Sequence, residues 1–447
     1  MNMATLVLQV LLGLVFLPLS FLALRQHETD WYGTFLVASG PFASSAMVLA
    51  SQKLRERILF RPETCLEMGL ANATASLRTA SVRQDQRQYC VLVLRTHPVG
   101  AVVLIRRQEM QTDIISHPAP VRWGILSLAN IGFRRVIPAI LNAPEAQLVA
   151  VASRNPEHAK ELLAHIPDLR IYGDYESLIN DPDIEAVYVP LPNSLHAEWT
   201  IRALEGGKHV LCEKPLAVTV KQGTSMVEAA RVNNRLLMEA FMYRFHPQTI
   251  WALEQVHAGR IGSVKLVRSS FSFNIHLPPR PHDIRLQADL AGGSLLDVGC
   301  YSVNFCRAVY GHPPIAVAAR VYTPAAGEVE RSANAVLDFG NGRFGLIDAS
   351  FELPTRQVSE IIGEAGTITI PVPFVPGHAE SEVVLTLEDQ VIHQRIAHVD
   401  PYRLEVEHFG ACVRSGAQPA FSLGETIENL ATIEAIYQSA GYPWPIS

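Results

Sequence analysis

The sequence predicts an α/β chain: a parallel-sheet domain from about residue 119, followed by an α+β domain with a large, mainly antiparallel sheet. Three observations predict it. Short apolar runs at 121–126, 148–152, 186–190, 209–212 and 236–238 alternate with amphipathic stretches such as 193–205 and 220–232. That is the pattern of βαβ units whose sheet is buried on both faces. After about residue 260 the texture changes to alternating strands at 265–273, 316–322 and 343–352, joined by turns such as Gly340-Asn341-Gly342 and followed by helical segments near 403–413 and 425–439. Finally, 447 residues exceed one ordinary domain. The expected division is 1–118, 119–240 and 241–447.

Composition narrows the function classes. Hydrophobic residues make up 48% and charged residues 18%, which is globular rather than disordered. A formal net charge of -6 offers no polyanion-binding surface, so nucleic acid is not expected as a partner. The 16 histidines form no HExxH pair, and the six cysteines include no CxxC, which leaves zinc sites and thioredoxin-type redox without support. Buried, reduced thiols are expected, in keeping with a cytoplasmic protein.

The region 1–118 reads differently. Residues 1–24 carry no charge and are long enough to span a bilayer, and a basic cluster at Lys53, Arg55, Arg57 and Arg61 follows a second, weaker apolar stretch. No basic segment precedes the first run, which argues against a secretory signal. From 61 to 118 no sustained helical or strand period emerges. Two readings stay open: a membrane anchor through residues 4–24, or a coding start placed too far upstream, with Met110 as the natural beginning.

The first turn of the parallel domain, Ser127-Leu128-Ala129-Asn130-Ile131-Gly132, stands where a strand gives way to a helix. It occupies the place of the glycine-rich dinucleotide fingerprint of a Rossmann domain, with two glycines replaced by Ser127 and Ala129. The helix N-terminus would offer free N–H groups and its positive dipole end to a pyrophosphate. A tight βα turn without a ligand would carry the same residues. The next strand ends at Ser153-Arg154-Asn155, where an acidic residue would hold the ribose hydroxyls of NAD. Arginine instead suits a 2′-phosphate, so NADP is the expected cofactor and NAD the second choice. A solvated surface arginine is the competing reading.

The sharpest local signal is Cys212-Glu213-Lys214-Pro215 at another strand end, where Pro215 biases Lys214 toward extended backbone and the strand's carboxyl end faces the ligand crevice. Further on, Gly292-Gly293 precedes Asp297-Val298-Gly299-Cys300-Tyr301. A helix beginning near Asp297 would set Asp297 and Tyr301 four residues apart on one face, with Gly299 keeping the turn slim for an approaching group. An Asp N-cap followed by a core tyrosine is the alternative.

These residues reach a recognisable pattern. The runs Val189 to His196, Glu213-Lys214-Pro215, Glu239 to Pro247, and Asp297-x-Gly299-x-Tyr301 occur in the order found in the Gfo/Idh/MocA oxidoreductases, which the chain resembles from about Pro120 onward. Tyr301, where many members carry histidine, is similar to the dihydrodiol dehydrogenase, glucose–fructose oxidoreductase and NADP-dependent xylose dehydrogenase branches. The resemblance implies hydride transfer between NADP and a sugar, polyol or cyclic diol. It also implies cofactor binding by Ser127, Ala129, Asn130, Ile131, Ser153, Arg154, Asn193, His196, Glu213 and Lys214, and a homodimer through the C-terminal sheet.

Hydride transfer at a carbinol needs a group that exchanges the oxygen's proton. The expectation is that Tyr301 does so, that Lys214 polarises the oxygen, and that Asp297 orients the lysine or the substrate. An ammonium favours tyrosinate and burial lowers a lysine, so either group could be the proton carrier. No metal is needed. Substrate specificity is expected from 271–280. Two other functions compete with this one: a glycosidase that oxidises transiently with bound NAD, and a sensor without turnover. Tyr301 speaks against the first, and the retained Lys214, Asp297 and Tyr301 against the second. Nothing before Val121 supplies a motif the fold needs, so a chain beginning at Met110 should fold and turn over like the full chain. Loss of activity on that truncation, measured by cofactor absorbance, would assign the extension a catalytic role.

Overall fold

The computed structural model describes residues 78–84, 87–95, 101–108 and 119–443, apart from Pro281 and His378. The chain divides into two units, Met1–Ser116 and His117–Ser447. In the first, strands β1 (Arg78–Gln84), β2 (Arg87–Arg95) and β3 (Ala101–Gln108) form an antiparallel sheet in chain order. They lie in the stretch 61–118, where the sequence shows no sustained helical or strand period. The apolar stretches Val91-Leu92-Val93-Leu94 and Val102-Val103-Leu104-Ile105 are unbroken runs, and such runs have no period to read. The segment 4–24 and Met110 lie outside the described residues. Among the described residues no helix is long and apolar enough to cross a membrane.

The second unit opens with a six-stranded parallel sheet built from β4 (Val121–Leu126), β5 (Ala146–Ala152), β6 (Arg170–Tyr172), β7 (Ala186–Val189), β8 (His209–Glu213) and β9 (Leu237–Ala240). Their order is β6-β5-β4-β7-β8-β9, so the direction of winding reverses between β4 and β7, the place where such sheets open a crevice. Strand β6 carries no strand signal in the sequence because it has three residues and no apolar run. The helices between strands are α1 (Ile137–Asn142), α2 (Pro156–Leu163), α3 (Tyr175–Ile179), α4 (His196–Glu205) and α5 (Val220–Val232). Local chemistry starts them: Asn155, Asp174 and Thr219 each accept a backbone N–H from the first turn, and Pro156 sits where a missing N–H costs nothing.

After α6 (Pro247–His257) comes the eight-stranded sheet, with β10 (Val264–Ser272), β11 (Ala316–Tyr322), β12 (Ser332–Asp338), β13 (Phe344–Ser350), β14 (Arg356–Gly363), β15 (Gly366–Ile370), β16 (Ser381–Leu387) and β17 (Val391–Ile396). All pairs are antiparallel except β10 with β13. The expected Gly340-Asn341-Gly342 turn joins β12 to β13, all three residues having positive φ. One face of the sheet packs on α7 (Cys300–Tyr310), which is buried along nearly its whole length.

The chain then returns to the first sheet through α8 (Pro401–Ser415) and α9 (Leu423–Ser439). Phe409 of α8 meets Trp123 of β4 with ring centroids 5.6 Å apart, and both side chains are fully buried. At the end of α8, Arg414 forks onto both oxygens of Glu185 at 2.7 and 2.8 Å and reaches the carbonyls of Ala119 and Pro120. The C-terminal helices thus lock the nucleotide-type sheet to its neighbour. Phe409→Ala should lower the unfolding free energy by about 3–5 kcal/mol, the usual cost of emptying a large aromatic site. Urea titration should show a lower midpoint at unchanged slope, and an unshifted midpoint would remove this role from α8.

Candidate active site

One cavity of about 620 Å³ lies at the carboxyl ends of the parallel strands, and Ser127, Arg154, Asn193, Lys214, Asp297 and Tyr301 all line it. Each arrives there for a local reason. Ser127 follows β4 with φ +106, a backbone region that favours glycine, and its N–H donates to Ala152 O at 3.0 Å. A serine in this conformation stores strain of about 1–3 kcal/mol. Beyond it the chain turns into a helix whose next residues form a π-helical turn, Gly132–Val136, running into α1. The first N–H groups of that helix have no partner within it.

Lys214 ends β8. Its ammonium donates to the main-chain oxygen of Asp297 at 2.6 Å and to Oδ1 of the same residue at 3.1 Å. The side chains of the pair are only 12% and 14% exposed. Asp297 sits in a π-helical turn, Leu295–Gly299, ahead of α7, instead of the simple α-helical start expected. A turn of this kind loosens the i→i−4 ladder, and here the Asp297 carbonyl takes the lysine. Gly299 does not open a path for a cofactor or substrate. A Cβ there would meet Leu295 and Ala349, so the glycine serves the packing of this turn on β13.

Tyr301 also differs from expectation. Its hydroxyl points to Met242 Sδ at 3.8 Å, while the Lys214 ammonium stands 5.0 Å from the centre of its ring. The lysine therefore meets the face of the tyrosine, a cation–π contact, and makes no hydrogen bond to its oxygen. Phe241, Phe271 and Phe374 pack around the ring. Burial holds the Tyr301 hydroxyl well above its ordinary value, with Tyr402 and Glu213 adding to the effect. Burial works against the Lys214 ammonium, yet Asp297, Cys300 and Glu213 outweigh it and hold the lysine above its usual value. The expectation of a tyrosinate or of a lowered lysine is thereby corrected: opposite charge at 3 Å beats desolvation, and no cation reaches the phenol oxygen.

Arg285, which no local motif singles out, completes the centre. Its Nε donates to Asp297 Oδ2 at 2.7 Å and its Nη1 to Asp283 Oδ1 at 3.2 Å. Asp297 is buried, which disfavours its charge, but the two cations dominate and bring its carboxyl down to about 2. Only folding joins residues 214, 285 and 297, so no spacing rule could have found the third. Tyr402 of α8 also lines the cavity, and no local sequence signal marks it. Of the expected specificity segment, Phe271 and Phe273 reach the cavity, while the rest of its rim comes from 282–285 and 290–292.

Other expected residues take supporting positions. Asn193 donates to Ala291 O at 2.8 Å, tying the parallel domain to that rim. His196 is fully buried, its ring nitrogens 2.8 Å from the carbonyls of Pro215 and Leu191, so it braces the Lys214-Pro215 turn and has no free nitrogen for a cofactor. Ser153 turns its hydroxyl to Asn155 and does not line the cavity. Glu213 accepts the Tyr188 hydroxyl and the Lys214 N–H. Glu239, pushed up to about 7 by burial, accepts the N–H of Leu216 at 2.9 Å and so steadies the same turn from below.

Two family profiles match this chain in sequence. Residues 121–241 match the oxidoreductase family with an NAD-binding Rossmann fold, and residues 251–369 match the GFO/IDH/MocA C-terminal domain. The chain belongs to the Gfo/Idh/MocA oxidoreductase family. It is 38% identical to a D-xylose 1-dehydrogenase (NADP(+)) of Haloferax volcanii over 71% of this chain and 97% of that protein. It is 30% identical to a trans-1,2-dihydrobenzene-1,2-diol dehydrogenase of Xenopus tropicalis over 72% and 99%. A 3-ketoreductase from Actinomadura kijaniata, solved in complex with NADP and TDP-benzene, superimposes with a TM-score of 0.67 at 30% identity, covering 72% of this chain and 98% of that one.

This Gfo/Idh/MocA member is thus an NAD(P)-dependent oxidoreductase, and its cavity suits such a cofactor. Unpaired helix-end N–H groups suit a pyrophosphate. The Arg154 guanidinium, which pairs with no carboxylate among the described residues, suits a further phosphate. The ionisation of the centre gives a test. Asp297 raises Lys214, so Asp297→Asn lowers the lysine and shortens the range over which it stays an ammonium. In the direction of carbonyl reduction the alkaline limb of the pH–rate profile should move to lower pH in that variant. A limb that stays in place would separate Asp297 from the lysine's ionisation.

Proposed function

We propose that this chain transfers a hydride between NADP and a carbinol carbon of a sugar, a polyol or a cyclic trans-dihydrodiol. The observation that carries the reading is the meeting of Lys214, Asp297 and Tyr301 in the cavity that Ser127 and Arg154 also line. Bound NADP supplies or accepts the hydride. The turn Ser127, Ala129, Asn130 and Ile131 would hold the pyrophosphate, and Arg154 would take the 2′-phosphate. An ammonium has three N–H donors, and Asp297 occupies two of those on Lys214. The third is left for the substrate oxygen, which receives its proton from Lys214 on reduction and returns it on oxidation. Tyr301 supports the ammonium with its ring, and its hydroxyl, held only by a thioether, is free to join the same oxygen. The relatives named above are dehydrogenases and reductases, so the glycosidase and sensor readings gain no support.

Two further features belong to this reading. Tyr322, Val336 and Phe344 are 52%, 41% and 38% exposed on the face of the eight-stranded sheet turned away from α7, and a second copy of the chain covers it. Cys212, Cys300, Cys306 and Cys412 are free and buried, which fits a reducing compartment, and we place the protein in the cytoplasm.

A panel of aldoses, polyols and dihydrodiols with NADP or NADPH absorbance as readout tests the function, and no net turnover with any of them would sink it. Lys214→Ala should cost about 100-fold or more in turnover, the scale of a lost acid/base group. Tyr301→Phe should cost less, because the ring under the ammonium survives. Arg154→Asp should shift preference toward NAD. Equal efficiency with NAD in the unaltered protein would count against the assigned phosphate site. Sedimentation at micromolar concentration should show a dimer, and a stable monomer would refute the covered face.

A further inference from the structure

The rim of the cavity opposite the parallel sheet is a loop closed on itself. Asp283 begins a short 3-10 turn, Ile284–Leu286, and the loop returns at Gly292-Gly293, whose N–H groups donate to Gln287 O and Arg285 O, both at 2.9 Å. A Cβ at 292 would run into the carbonyl of Arg285, and one at 293 into the carboxylate of the buried Glu330, at a φ of +117. Only glycine lets the two strands of the loop touch. Asn193 fastens the loop to the parallel domain through Ala291. Arg285 is therefore aimed by backbone geometry, and its side chain is 40% exposed on the cavity side.

Its guanidinium has five N–H donors. One goes to Asp297 and one to Asp283, and Nη2 has no partner among the described residues. The centre thus presents two cations, Lys214 and Arg285, against two carboxylates, Asp283 and Asp297. Glu213, 8% exposed, spends its oxygens on Tyr188 and on the Lys214 N–H.

We propose that Arg285 is a specificity-determining residue, whose free guanidinium edge reads adjacent hydroxyl oxygens of a neutral polyhydroxylated substrate while Asp283 and Asp297 cancel the attraction for acids. This rests on the reading of the chain as a sugar or polyol oxidoreductase. A planar fork suits two neighbouring oxygens, which a point-charge lysine cannot match. An anionic sugar would gain nothing from a cation already paired twice, and would lose the hydration of its own charge.

The test uses D-xylose, D-glucose and D-glucuronate. The last two share a ring and differ in the charge at C6. Turnover is followed by cofactor absorbance, and binding by the change in NADPH fluorescence of the holoenzyme. The unaltered protein should prefer D-glucose to D-glucuronate by about 10-fold or more in kcat/KM. Arg285→Lys, which keeps the charge and loses the fork, should raise KM for the neutral sugars about 10-fold with a smaller change in kcat. Asp283→Asn leaves one positive charge uncancelled and should shift the ratio toward D-glucuronate by about 10-fold. Turnover with an unshifted ratio in Asp283→Asn, or an unchanged KM in Arg285→Lys, overturns the assignment of Arg285 and leaves the oxidoreductase reading standing. Binding without turnover overturns the sugar arm of the reading of function, and the Arg285 assignment is then judged on the same ratios in binding. Neither binding nor turnover removes the sugar arm together with the Arg285 assignment.

Discussion

Asp297 holds two cations at once, and the architecture of the site follows from what that requires. The lysine comes from the end of a parallel strand, the carboxylate from a turn 83 residues later, and the arginine from a loop between them. Taking these charges out of water is costly, and the cost is recovered only where geometry is good and every oxygen is used. Asp297 meets that condition with both carboxylate oxygens and its own carbonyl. Removing one partner would leave an uncompensated buried charge, which is why the site must be rigid on both sides of the cleft.

Rigidity comes from below and from outside. Beneath the ammonium lies an aromatic bed in which Tyr301, Phe271, Phe374 and Tyr243 contact one another at centroid distances of 5.2 to 5.9 Å. Such a bed excludes water and strengthens the charges resting on it. Two buried carboxyls act as fasteners, not as chemistry. Glu239 takes the Leu216 N–H beside the lysine turn, and Glu330 takes the Leu295 N–H at 2.8 Å at the start of the aspartate turn. On the outside, α8 carries Phe409 and Arg414 back to the parallel sheet, so the helix cannot leave it without opening a core contact and a forked ion pair.

Much of this was legible in the sequence where chemistry is local. Strand runs such as 186–190, the helix at 220–232, the glycine hairpin at 340–342 and the lysine before Pro215 announce themselves by period, caps and turn residues, because those are fixed by the nearest few neighbours. Three-residue β6 and the unbroken apolar strands of the first unit did not, since neither carries a repeat. Ser127 shows the opposite limit: its side chain argues against the left-handed backbone that the βα turn imposes on it.

The sequence by itself determined the α/β order of elements, the nucleotide-type first turn and the residue types of the reaction, all set by spacing along the chain. Only tertiary structure decided what those residues do to one another. It turned the Tyr301 hydroxyl toward a thioether, gave the lysine its ring face, made His196 a brace and brought in Arg285. Ionisation and hydrogen bonding depend on distances of about 3 Å between groups that stand tens of residues apart, and such distances exist only once the two sheets have packed.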